Sequence, residues 1–233
     1  PLSGFILYYL SKGSDPSLSH FHMAYFICGL FGLISLLFTL RFFTRGKVEA
    51  NRDKTSLNQS WQKFSKGIKE AISDYRVVIT SNMEGIQNLS VGALEAFLPI
   101  YAVTIAGLNV FQAGIIWGAQ ILTTILAKPI MGKISDRYGR KPIVFSGMWI
   151  CAIPLACIPL TQNFYFLLFL ALVFGMGEAF VTSSSAAMVA EFCKERHYGA
   201  AMGTFGTIFD IGHASGPILA GLLLGHLSYQ LSF

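Results

Sequence analysis

Four carboxylates interrupt the otherwise apolar stretches of this chain: Glu84, Glu95, Glu178 and Asp210. An acid at the centre of a membrane helix costs about 2.5–3.5 kcal/mol, so none of them belongs against lipid without a task. A carboxylate held away from bulk water can take up a proton on one side of a barrier and release it on the other. Helical spacing puts these acids on ordered faces. Ser81, Glu84, Asn88, Val91 and Glu95 form one stripe; Gly175, Glu178, Thr182 and Ser185 form a second; Gly203, Thr207, Asp210, His213 and Pro217 form a third. Counting about 1.5 Å per residue from the span ends puts Asp210 and Glu178 near mid-bilayer, Glu95 deep, and Glu84 nearer one surface.

Glu95 and Glu178 are the first candidates for a proton and substrate pathway, with Asn88, Glu84 and Asp210 beside them. Each also has a structural reading. Glu84 would snorkel or cap near a helix start. Glu95 and Glu178 would serve as partners of Asn, Ser or Lys128. Asp210, near His213 and a Gly-Pro step, would brace a packing interface. Trp117, Gln120 and Thr124 either touch substrate or pack.

The elements that must position these residues are membrane spans. Of the 233 residues 53% are apolar and 12% charged, against roughly 25% charged in an average soluble protein. Residues 143–177 carry no charged side chain, a length that exceeds one span of about 20 residues and implies a hairpin crossing twice. One partial span opens the chain. Full spans are expected over 21–43, 77–106, 110–131, 143–161, 164–190 and 199–227. The fold class is therefore all-α, a polytopic membrane helical bundle. The four cysteines have no metal-ligand spacing, and neither a disulfide, a metal nor a cofactor is expected.

The formal charge of +5 does not indicate nucleic acid, because the cations cluster: nine of 17 Lys and Arg lie between Arg41 and Arg76, and four between Lys133 and Lys141. Loops at 107–110, 162–163 and 228–233 carry none. This alternation is membrane topology, and it places the loops 44–75, 132–142 and 191–198 in the cytoplasm. Residues 44–75 are the one long hydrophilic stretch. In it Trp61, Phe64, Ile68 and Ile72 recur at helical spacing, as in an amphipathic helix on the inner membrane surface or a solvated linker with scattered aromatics.

The densest motif is Gly132-Lys-Ile-Ser-Asp136-Arg-Tyr-Gly139-Arg-Lys-Pro142. Gly132 and Gly139 are expected to let the chain reverse within a few residues, and Pro142 to open the next helix. Arg137, Arg140 and Lys141 hold the loop at the cytoplasmic face. Asp136 would accept from a neighbouring helix N-terminus or pair with an arginine.

This segment resembles the Gly-x-Leu-x-Asp-Arg-x-Gly-Arg-Arg/Lys signature of the major facilitator superfamily of secondary transporters, with Ile134 where the family usually has leucine. Gly212, Gly216, Pro217 and Gly221 resemble the Gly-Pro-x-x-x-Gly pattern of the family's fifth helix of a half, strongest in antiporters. The resemblance implies an incomplete bundle of major-facilitator type. It would run from the end of helix five to the end of helix eleven: 1–43 ends the N-terminal half, 44–75 is the linker, and 76–233 is a C-terminal half lacking its last helix. It also implies that 77–106 and 164–190 line the cavity while 143–161 and 21–43 support it from outside.

The function expected is a plasma-membrane, multi-pass secondary transporter of a small molecule, possessing no enzymatic activity. It would be a proton-coupled exporter working by alternating access, with the 132–142 loop as a cytoplasmic latch. Its partners would be a substrate, protons and the bilayer, and the full-length protein would be a monomer. A proton-coupled symporter of a small polar solute and a non-transporting receptor or scaffold are the alternatives.

Overall fold

The computed structural model describes residues 18–43, 65–69, 72–193 and 198–226. The chain divides into two compact units, Pro1–Asn58 and Gln59–Phe233. In the first, α1 spans Leu18–Phe43 and is uncharged from Met23 to Leu40. The second contains α2 (Tyr75–Thr104), α3 (Val110–Tyr138), α4 (Arg140–Cys157), α5 (Phe164–Phe192) and α6 (Tyr198–His226), and a 3₁₀ turn over Ile158–Leu160 continues α4. These five are long and apolar enough to cross a membrane. The partial span that opens the chain, the aromatic positions Trp61 and Phe64, and residues 194–197 lie outside the described residues; Ser65–Lys69 is helical.

Side chains at the starts of three helices answer their first free amides. Asp74 caps α2 by accepting from the Arg76 N–H at 3.0 Å. Asn109 and Gln112 form a reciprocal capping box on α3, while Asn163 accepts from Tyr165 and Phe166 at the start of α5. Gly107, at φ +66°, makes the turn between α2 and α3.

The expected reversal over 132–142 is shorter than its sequence suggests. Helix α3 continues through Gly132 and the whole Lys133–Tyr138 stretch, and Gly139 at φ +91° is the single break before α4. Gly132 is therefore not a turn residue. It is helical, and open space surrounds the place a Cβ would take. Polar residues continue a helix past the apolar core as readily as they end it, and only a positive-φ residue breaks it here.

Packing follows two seams. Helix α2 packs most extensively on α6, while α3 and α4 both pack on α5, with a narrower contact between α2 and α5. The α2–α6 seam is backbone on backbone. A Cβ added to Gly212 would overlap the Gly85 carbonyl, one on Gly216 the Leu89 carbonyl, and one on Gly92 the His213 carbonyl. Small residues of this kind let helices associate in lipid, where apolar side chains gain nothing by leaving it. Between α4 and α5, Gly147 and Gly177 face one another in the same way, with Cys151 against Gly177. Apolar packing around Leu94, Leu98, Ile116, Leu167 and Phe174 fills the end near the α2–α3 turn. There the Tyr101 hydroxyl donates to the Thr161 carbonyl at 2.9 Å.

Candidate functional site

The stripes predicted on α2 and α5 meet, and a stripe on α3 joins them. Glu84 is fully enclosed at 0% exposure. Its Oε2 accepts from Ser185 Oγ on α5 at 2.5 Å, and its Oε1 accepts from Asn88 Nδ2 at 3.2 Å. Snorkelling to a surface is thereby excluded for Glu84. Glu178 Oε2 accepts from Gln120 Nε2 at 2.8 Å and lies 3.1 Å from Thr124 Oγ1. The Thr124 hydroxyl is equally close to the Gln120 and Gly175 carbonyls. Its single proton therefore serves one acceptor at a time.

Lys128 lies one helical turn further along α3 and acts electrostatically on both Glu84 and Glu178. Two carboxylates thus share one cation, and the cluster has a formal deficit of one positive charge when both are ionised. Ser185, Asn88 and Gln120 donate to the acids, and the Thr124 hydroxyl is within reach of Glu178. The buried Gln120 Oε1 is an acceptor with no partner among the described residues. A proton meets both conditions, since it supplies a donor and a positive charge. Gln120, Thr124 and Lys128 recur every fourth residue, so the α3 stripe was present in the sequence as a polar period. Gln87, buried on α2 with its Nε2 3.8 Å from Cys151 Sγ, had no sequence signal beyond being an amide in an apolar helix.

The other candidates lie elsewhere. Glu95 belongs to the same α2 stripe but leaves the enclosed cluster: its carboxylate is half exposed and lies 3.1 Å from His213 Nε2 on α6. Asp210 is exposed on α6, and His213 turns to Glu95 rather than to it. Of the third predicted stripe, His213 and Pro217 reach α2 at Glu95 and Gly92, while Asp210 is exposed. Gly212 and Gly216 sit in the seam, the Pro217 ring is beside Gly92, and Gly221 is at ordinary contact distance from Phe97.

At the charged end of the unit, Asp136 Oδ1 pairs with Arg140 at 2.8 Å across one helical turn, and Arg140 also grips Glu191 Oε1 on α5 at 2.7 Å. Asp136 thus takes the arginine alternative. Arg137 stacks over the Tyr138 ring, and Lys141 is exposed. Arg76, over the Phe192 ring, joins α2 to α5 at the same end. Its side-chain hydrogen bonds hold the Asp74 carboxyl below the usual aspartate range. No group of three or more His, Cys, Asp or Glu among the described residues could hold a metal ion.

Five membrane-length helices, glycine-packed and carrying a buried glutamate among amide and hydroxyl partners, define a polytopic membrane protein. The family model described as Major Facilitator Superfamily matches residues 83–233, well over half of the chain, and the chain belongs to that family. It is a multi-pass protein of the cell membrane from a family of transporters rather than enzymes.

Named relatives include the multi-drug resistance efflux pump PmrA of Streptococcus pneumoniae, 29% identical over 140 residues, which is 58% of this chain and 34% of the pump. The multidrug resistance protein MdtG of Proteus mirabilis is 31% identical over 132 residues, 54% of this chain and 32% of MdtG. The staphyloferrin B transporter of Staphylococcus aureus is 29% identical over 165 residues, 68% of this chain and 38% of the transporter. The matched part of the chain thus corresponds to about a third of the length of these relatives.

Proposed function

We propose that this chain is part of a secondary transporter that exports a small molecule in exchange for protons by alternating access. The observation that supports it best is the carboxylate pair, Glu84 fully buried and Glu178 partly buried, with Lys128 one turn beyond Thr124 on α3. Such a cluster gains or loses one charge at a time, which is what coupling to a proton requires. Rocking of two halves about it would present it to one side and then the other. Asp136, Arg140 and Glu191 would tie the cytoplasmic ends of α3, α4 and α5 in one of those two states. Glu95 and Asp210 are removed from the enclosed cluster, and Glu178 with Glu84 takes the central role.

The names of the relatives favour export of drug-like compounds. The test is flux in proteoliposomes containing the complete carrier of which this sequence is part, using ethidium as a fluorescent probe. Ethidium uptake into inside-out vesicles, driven by an inwardly acid gradient, should be accompanied by loss of that gradient and should vanish in Glu178→Gln. Alkalinisation of the substrate-donor compartment in step with uptake, as proton and substrate move together, would instead indicate symport. Flux unchanged in both Glu178→Gln and Glu84→Gln would overturn the reading.

A further inference from the structure

The Glu95–His213 pair is not explained by the enclosed cluster. Counting residues along α2 puts Glu95 about 16 Å from Glu84, and Glu95 draws its partner from α6 rather than α5. Its position in the α2–α6 seam is particular. Proline at 217 has no N–H and cannot bond the carbonyl four residues earlier, which is that of His213. Gly92 lets α2 come up against the same His213 carbonyl and the Pro217 ring. His213 is therefore the residue at which α6 has lost a rung of its hydrogen-bond ladder, and its backbone touches α2 while its imidazole holds a carboxylate of α2.

We propose that Glu95 and His213 form a second proton-binding site, separate from the Glu84–Glu178–Lys128 cluster, whose protonation sets how tightly α2 and α6 close at the Pro217 break. When Glu95 is ionised and His213 protonated, a charge-assisted hydrogen bond spans the seam. Neutralising either partner removes the attraction between opposite charges and leaves a hydrogen bond with a single charged partner. Around this point the seam is glycine against carbonyl, with the Pro217 ring at Gly92 and the Phe97 ring at Gly221, and the Glu95–His213 pair is the tie whose strength a proton can change. The other titratable groups around it are acidic: Asp210 one turn earlier on α6, Glu84 further down α2, and Glu178 on α5, on which His213 acts electrostatically. Lys128 on α3 is the nearest cation of the cluster already described. Side-chain exposures of 41% for His213 and 50% for Glu95 leave the pair uncovered by the other described helices.

The experiment reads distance, not flux, so it stands or falls independently of the transport proposal. The complete carrier is placed in lipid nanodiscs with spin labels at Thr104 on α2 and Leu222 on α6, both exposed. The distance distribution is then measured between about pH 5 and 8, the interval in which imidazoles as a class change charge. The wild type should show two populations whose ratio changes with pH. His213→Gln and Glu95→Gln should each abolish that change, and the double variant should match either single one. Glu178→Gln should leave it in place. If His213→Gln fails to fold, Glu95→Gln, a replacement of one oxygen by an amide nitrogen, carries the same test. A pH-dependent ratio that persists in Glu95→Gln, a wild-type ratio that does not vary with pH, or loss of the change in Glu178→Gln would overturn the proposal.

Discussion

Glu84 and Glu95 stand on one helix, eleven residues apart and close to the same helical face, yet they live in different surroundings. Glu84 is buried and accepts from Ser185 of α5 and Asn88 of its own helix, while Glu95 is half exposed and held by a single imidazole from α6. The difference comes from which neighbour is reached at each level along α2. At Glu84 the polar stripe of α5 arrives with Ser185 and Thr182. At Glu95 the neighbour is α6, whose close contact with α2 is made by glycines, so the acid emerges beside the seam. A helical stripe fixes a direction; the second helix decides whether that direction is closed or open.

The sharpest way to break this contrast is to neutralise one acid at a time. In the complete carrier, Glu178→Gln should reduce proton-coupled ethidium flux by about 100-fold, equivalent to about 2.7 kcal/mol. Glu95→Gln should retain flux and alter its pH dependence. Parallel flux measurements across pH on the two variants check this, and equal loss in both would erase the distinction.

The α2–α6 seam offers the next largest effect. Gly216→Val drives its Cβ into the Leu89 carbonyl and Ala93 amide, and should destabilise the carrier by about 1–3 kcal/mol or more, read as a lowered thermal midpoint in detergent. Gly203→Val on the same helix meets open space and should leave the midpoint nearly unchanged.

Ser185→Ala removes the shortest donor to Glu84 and should cost about 1–3 kcal/mol, the penalty for an under-satisfied buried acceptor. Ser185→Thr retains the hydroxyl and should recover part of the loss in the same thermal assay.

Smaller effects belong to the charged end. Asp74→Ala removes the α2 cap and should cost about 1 kcal/mol, whereas Asp74→Asn keeps a capping oxygen. Because Arg76 depresses the Asp74 carboxyl, its stabilisation is present above the ordinary aspartate range of about 3.9 and fades as pH falls through the lower folded value. The acid limb of a thermal-stability profile should therefore flatten slightly in Asp74→Asn. Asp136→Asn should change stability by less than about 1 kcal/mol, since its carboxylate is 63% exposed. Thermal midpoints at low and high salt would show that small difference shrinking with screening.

Much of this arrangement was legible from residue order. Apolar run lengths gave the five spans of the second unit to within a few residues, except where α3 ran on to Tyr138. There hydrophilicity was read as a loop, but Lys133–Tyr138 has no helix-breaking residue before Gly139. Four-residue periods placed Glu84 with Asn88 and Glu178 with Ser185 on common faces. The bond between Glu84 and Ser185 was not legible, because it joins positions 101 residues apart and depends on how α2 leans on α5. On α6 the sequence pattern does not display which face meets α2, because Gly212 and Gly216 make that contact through backbone approach.

The lone non-helical residue between α3 and α4 has a mechanical consequence. A joint of one glycine has no slack to absorb displacement, so any tilt of α3 is handed at once to α4, and Arg140, set just past the joint and fastened to Glu191, drags the end of α5 with it. Three rods coupled at one knuckle behave as a lever rather than as independent struts. Lengthening that knuckle by two or three residues should uncouple them even if every side-chain contact elsewhere survives.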